Sequence, residues 1–223
     1  MEPFLKRTWA QVDLDALDHN IREIRSAIAP SAKLMCVIKA DGYGHGAVPL
    51  AKESEAAGAD WFAVSNLEEA QELREAGIQK PILILGFTPD SDARLLAQME
   101  ISQAVLSESH ARQLSSYAQE AGTRVRVHIA VDTGMTRIGL SAQNQTQALE
   151  AAAAARRIAE LPGLLLEGLF THFAVADEAE AGADYTQRQY QSFRLVADTL
   201  KGWGISIPFC HCSNSAGILD YPE

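Results

Sequence analysis

Lys39 closes an apolar run and opens a turn, in the stretch VIKADGYGHG from Val37 to Gly46. An amine at the end of a buried strand is partly desolvated, which makes the neutral nucleophile more available. Lysines of that kind form Schiff bases with carbonyl compounds. The DGYGHG that follows supplies backbone freedom, so amide groups and the Tyr43 hydroxyl can approach an anion such as phosphate. The same ten residues also suit a lysine that only snorkels from a strand end beside a glycine-rich turn. The turn is not G-x-G-x-x-G and holds no G-K-[ST], so a nucleotide loop is a weak reading.

Three further stretches carry chemistry. In HIAVDTGMTRIGL, Arg137 follows a strand and a Thr-Gly turn, where it can hold an oxyanion or a carboxylate, or lie on the surface. His172 in FTHFA ends another apolar strand, a place that suits a rim or core histidine as well as a catalytic one. HCSNSAG places His211, Ser213, Asn214 and Ser215 beyond a third strand, with donors suited to phosphate that are also ordinary turn residues. A lysine, an arginine and phosphate donors converging on one mouth suit a pyridoxal-phosphate site.

The elements that must carry these residues alternate. After an expected opening strand, TWAQVDL, and a helix from Asp13 to Ala29 come seven apolar runs. They are KLMCVIKA, DWFAVSN, PILILGF, ISQAVLS, RVRVHIAVD, LLLEGLFTHFA and IPFCHCSNS. Helical stretches lie between them, several stopping at a glycine (Gly58, Gly77, Gly122, Gly204) that suits a left-handed cap. Strand then helix, repeated over short connections, implies parallel strands with right-handed crossovers. Seven strands fit an open doubly wound sheet by count, whereas a (β/α)8 TIM-type barrel would lack its last unit. The positions of Lys39, Ser65, Asn66, Asp132, His172, Ser213, Asn214 and Ser215 at strand C-terminal ends favour the barrel, which gathers them at one mouth.

Composition narrows the class. The 223 residues are 47% hydrophobic and 22% charged, enough for one substantial core, with no linker between two domains. A net charge of −10 argues against nucleic acid as a partner. No apolar run approaches a membrane span, and MEPFLKRTWAQVDLD lacks the core of a signal peptide. Cys36, Cys210 and Cys212 read as reduced thiols of a cytoplasmic protein, and no ligand cluster supports a metal site.

VIKADGYGHG, VDTGMTRIG, FTHFA and HCSNSAG resemble, in order and separation, the motifs of bacterial alanine racemase. The resemblance covers essentially the whole chain as the N-terminal barrel domain, residues 1–223. It implies a TIM-type barrel truncated before its last strand, and a C-terminal β domain absent from this chain. It implies an isomerase that interconverts L- and D-alanine with pyridoxal 5'-phosphate and supplies D-alanine for peptidoglycan. Lys39 would hold the cofactor as a Schiff base and act as acid and base on one face of the substrate. Tyr43 and Ser215 would bind the phosphate. Arg137 would contact the ring's phenolic oxygen and the substrate carboxylate, and His172 would pack against the ring. Asn214 and His211 would support the cofactor.

The family's second base is a tyrosine from the C-terminal domain of the partner in a homodimer, and its arginine for the pyridine nitrogen lies beyond the Ser-Asn motif. Both fall outside this chain, so the fragment alone is expected to be weak or inactive. Many members carry a lysine where this chain has Ala130, which leaves open how Arg137 is held. A serine racemase of the same family is an alternative, and so is a single-barrel pyridoxal-phosphate homeostasis protein without racemase activity. A related barrel decarboxylase of basic amino acids fits the size and motifs less well.

Overall fold

The computed structural model describes residues 8–221. Seven strands pair in parallel and in chain order: β1 (Met35–Val37), β2 (Trp61–Val64), β3 (Ile82–Ile84), β4 (Ile101–Val105), β5 (Val125–Asp132), β7 (Leu164–Phe170) and β8 (Phe209–His211). The two-residue β6 (Leu140–Ser141) adds to the C-terminal end of β5, with Val131 opposite Leu140. Each expected apolar run after the first helix is a strand, shortened at its ends. The opening strand is a correction: among the described residues, those before Asp13 belong to no strand, and Trp9 stands 70% exposed. Alternation there finds no neighbouring backbone to pair with.

The first helix (Leu14–Ala27) starts where Asp13 accepts a hydrogen bond from the Ala16 amide at 3.1 Å. The helices Leu67–Glu75, Glu108–Glu120 and Gln145–Ala159 are capped in the same way by Asn66, Ser107 and Asn144. Gly58, Gly77, Gly122 and Gly204 all take the left-handed conformation expected of them.

Alternate strand residues face two ways, and this decides what the sheet packs against. Ile82, Ile84, Ile101, Val127, Ile129 and Leu169 point outward into a continuous core shared with the helices. The alanines of Gln145–Ala159 (Ala148, Ala151, Ala152, Ala155) let that helix lie close to the sheet. A second, inner layer is small: Ala104, Ala130 and Phe170, with Leu85 and Leu106 against them. The helix Leu14–Ala27 meets the last helix, Ser215–Asp220, so the sheet curls round and its two ends approach. Among the described residues β1 and β8 each have one unpaired edge. This is the barrel expected from the strand-end polar residues, one strand short of closure.

Candidate active site

The mouth is organised by the segment after β1. Ala40, Asp41, Gly42 and Tyr43 have φ of 53, 52, 59 and 56°, with ψ between 36 and 51°. They form one turn of left-handed helix, a conformation that three of these four residues adopt only at a cost. Acceptors around it hold the turn in place. Glu69 takes the Ala40 amide at 2.8 Å on one oxygen and the Ser65 amide at 2.7 Å on the other. The Asp41 carboxylate takes the Ala47 amide at 2.7 Å, starting the helix Ala47–Ala57. The Gly42 amide donates to Ile38 at 2.9 Å and the Gly46 amide to Asp41 at 2.9 Å. His45 Nδ1 donates to the Gly42 carbonyl at 2.9 Å, so this histidine braces the turn. Lys39 is half-buried at the start of the turn, its Nζ 5.8 Å from the centre of the Tyr43 ring. Tyr43 is 60% exposed, and its hydroxyl makes no hydrogen bond among the described residues.

Across the mouth, the loop after β5 is built on Asp132. One carboxylate oxygen accepts the Gly134 and Thr136 backbone amides at 3.0 and 2.8 Å, and the other accepts from the Gln143 side-chain Nε2 at 3.3 Å. The Tyr185 hydroxyl pins the same loop by donating to the Gly134 carbonyl at 2.8 Å. Arg137 is delivered by this loop, exposed and without an ion-pair partner among the described residues. Ala130 is only 1% exposed and packs on Ala104 and Phe170, so it offers Arg137 nothing polar. His172 follows β7, its carbonyl held by Gln189 at 3.3 Å. Enclosure by its surroundings, then the positive charges of Arg137 and Lys39, push its imidazole below the ordinary value. That coupling places Lys39, Arg137 and His172 in one electrostatic neighbourhood.

Lys39, Tyr43, Arg137, His172, His211, Asn214 and Ser215 all line one cleft of about 1920 Å³. Not all are equally free. Asn214 accepts the Gly217 amide at 2.9 Å and caps the last helix, as Asn66 caps its own, so the side-chain oxygen of each is committed to backbone. Ser215 is exposed and its hydroxyl is unclaimed among the described residues.

One group went unread in the sequence. His128 is fully buried inside the curled sheet and joins His211 to Glu167: Nδ1 lies 2.9 Å from His211 Nε2, and Nε2 lies 3.3 Å from Glu167 Oε2. The Ser102 hydroxyl donates to the same carboxylate oxygen. The signal was present in RVRVHIAVD, where Arg126, His128, Ala130 and Asp132 alternate on the face that turns inward.

These features match known proteins over the whole described chain. The family model of the alanine racemase N-terminal domain covers residues 12–223. An alanine racemase from Desulfovibrio desulfuricans is 44% identical over 223 residues, all of this chain and 58% of the relative. One from Desulforamulus reducens is 43% identical, over 96% of this chain and 56% of its own length. The chain therefore spans little more than half of these relatives. Among solved structures, an alanine racemase from Clostridium difficile superimposes with a TM-score of 0.89 at 38% identity, over 99% of this chain and 56% of that one. A histidine racemase from Leuconostoc mesenteroides subsp. sake gives 0.83 at 28% identity, over 94% and 54%. By its motifs, its curled sheet and these matches, the chain belongs to the alanine racemase family, as its N-terminal domain.

Proposed function

We propose that this chain is the cofactor-holding part of a pyridoxal-phosphate-dependent racemase that interconverts L- and D-alanine. The observation that carries the reading is a pair of cations, Lys39 and Arg137, in one cleft with no carboxylate partner among the described residues. A mouth so charged suits an anionic ligand. The donor set fits pyridoxal phosphate in particular. A strand-end amine is there for its aldehyde, two unclaimed hydroxyls on Tyr43 and Ser215 for its phosphate, and a guanidinium for a phenolate or carboxylate.

In this reading Lys39 would hold the cofactor covalently, and Tyr43 and Ser215 would hold its phosphate. The bound cofactor supplies an electron sink for the substrate α-carbon. With the substrate's amine taking its place on the aldehyde carbon, the freed Lys39 Nζ would give or take the α-proton on one face. Arg137 orients the substrate carboxylate by a two-pronged hydrogen bond. His172, kept neutral by its enclosure and by the two cations, can pack against the ring without adding a third charge. On this reading the base for the opposite face comes from the C-terminal domain of a homodimer partner, as the motifs imply. The reading extends to a cytoplasmic enzyme that provides D-alanine for peptidoglycan. No helix among the described residues is long and apolar enough to cross a membrane. A histidine racemase has the same fold at 28% identity, so the curled sheet by itself does not fix the substrate.

Borohydride reduction in the presence of pyridoxal phosphate, followed by peptide mass mapping, tests the assignment. The cofactor is expected on Lys39. A folded protein by circular dichroism that carries no label there, or labels scattered over other lysines, overturns it. Residues 1–223 alone are expected to racemise alanine poorly, and robust turnover by them would refute the one-face reading.

A further inference from the structure

Below the mouth, the interior of the curled sheet is polar where a barrel usually carries branched apolar side chains. Ser102 comes from β4, Arg126 and His128 from β5, Glu167 from β7 and His211 from β8. Local backbone structure serves this group. Val127 pairs with Leu166 but His128 with Gly168, so Glu167 is the extra residue of a β-bulge, a device that re-aims side chains. Beside it Gly168 leaves room for the imidazole: a Cβ there would lie 2.2 Å from His128 Nδ1. Trp61 meets the His128 ring edge-on at 5.3 Å, and Phe170 stacks on His211 at 5.1 Å with 8° between the planes. Two imidazoles are thus fixed in place and in orientation.

The hydrogen bonds of this chain have a direction. Partial burial pushes the Glu167 carboxyl up, but the hydrogen bonds of His128 and Ser102, with the Arg126 charge nearby, hold the group below its usual value. As an ionised carboxylate it can only accept, so the proton on the His128 side of that contact sits on His128 Nε2. Arg126 lies between two carboxylates, 3.5 Å from Glu100 Oε1 and 3.9 Å from Glu167 Oε1. His128 is fully buried with an imidazole on its other side, so we take it in the form that puts no desolvated cation there. A neutral His128 protonated at Nε2 offers its Nδ1 lone pair to His211. His211 Nε2 must then carry a hydrogen and donate it across the 2.9 Å contact. Burial above all pushes His211 down to about 3, so it too is neutral near pH 7. The remaining nitrogen, His211 Nδ1, makes no hydrogen bond among the described residues and is not among the sealed, partnerless atoms, while His211 lines the cleft.

We propose that Glu167, acting through His128, locks His211 in its Nε2–H tautomer and so presents an acceptor lone pair to the cofactor cleft. Glu167 and His128 are positioning residues, and His211 is the group they set. The cleft then has two chemical ends: Lys39 and Arg137 take anions, whereas His211 takes an N–H or O–H donor and disfavours an anion. The functional consequence rests on reading this cleft as the cofactor site, but the tautomer does not.

The test is a two-bond 1H–15N correlation spectrum of the six histidines in [15N]histidine-labelled protein at pH 7, recorded without cofactor. His211 is assigned by the signal lost in His211→Gln. A pyrrole-type Nε2 and a pyridine-type Nδ1 are expected at His211. Glu167→Met removes the acceptor and should reverse or mix that pattern. Glu167→Gln should restore it, since the amide oxygen can still accept from His128. A wild-type His211 that carries its proton on Nδ1, or on both nitrogens, overturns the proposal even if no variant folds. So does a folded Glu167→Met protein with an unchanged pattern. Borohydride labelling of Lys39 with the wrong tautomer would sink this proposal alone, and the right tautomer without labelling would sink the functional reading alone.

Discussion

Gly168→Ala isolates the closest contact in the buried network. The added methyl would sit 2.2, 2.5 and 2.6 Å from Nδ1, Cε1 and Cγ of His128, well inside the roughly 3.5–4.0 Å of ordinary carbon contact. The imidazole has little room to retreat, with Trp61 on one side and His211 on another. Overpacking of this kind costs about 1–3 kcal/mol. Displacing the ring also strands buried nitrogens of the His128–His211 bond, for about 1–3 kcal/mol more. The sum, about 2–6 kcal/mol, is a large share of the roughly 5–15 kcal/mol that holds a domain folded. Urea unfolding followed by far-ultraviolet circular dichroism should show a lower midpoint at unchanged slope. The nearest three atoms all belong to His128, so the same substitution in a His128→Ala background should cost less than about 1 kcal/mol, and the coupling between the two sites should exceed the roughly 0.5 kcal/mol of independent ones. Equal costs in both backgrounds, or a wild-type cost near zero, would refute the packing argument.

Other outcomes follow from single interactions. Glu69→Ala removes the acceptor of the Ala40 and Ser65 amides and should destabilise by about 1–3 kcal/mol in the same urea assay, with reduced Lys39 labelling by borohydride. Asp41→Gly trades relief of a left-handed residue against loss of the Ala47 contact, each worth about 1–2 kcal/mol, and should come out within about 1 kcal/mol of wild type, whereas Asp41→Ala keeps the strain and loses the contact. His211 titrates near 6.5 when unfolded and near 3 when folded, so the unfolded chain binds a proton the folded one refuses. Stability should fall as pH drops through that window, by up to about 1.4 kcal/mol per unit, and His211→Gln should flatten the slope if His128 and Glu167 hold their states.

The alternation of strand and helix was legible because it is written in runs of residues: periodic apolar positions, side-chain caps and terminal glycines. The Lys39 mouth was legible for a related reason, since reactive types sit at strand ends where parallel sheets expose them. The opening TWAQVDL misled because alternation reports only which side chains could share a face, and a strand also needs a neighbour. Glu167 was hidden by its bulge. Counting by twos along LLLEGLF cannot show that one residue is unpaired, and with it goes the direction of a side chain. His128 goes unread in the sequence, and His211 reads as one donor of HCSNSAG. They meet only because β5 and β8, both paired with β7, face one interior across 83 residues of sequence.

The turn after Lys39 shows where sequence and energy part company. Its glycines suggest simple freedom, yet three of the four left-handed residues are Ala40, Asp41 and Tyr43, which together cost about 3–6 kcal/mol in that conformation. Only Gly42 is sterically bound to its identity, since it is buried with Leu50 3.2 Å from where a Cβ would stand. Strain of this size persists only where the surroundings over-determine it, and such places cluster at functional sites. Here the surroundings are explicit: a carboxylate from the helix Leu67–Glu75 grips the first amide of the turn, and the turn's own aspartate grips the first amide of the next helix. Both ends of the turn are thereby fixed to rigid helices. Lys39 and Tyr43, at its start and end, inherit that rigidity, although neither side chain makes a hydrogen bond among the described residues. A lysine held by its backbone keeps its amine free, which is what covalent capture of a carbonyl requires.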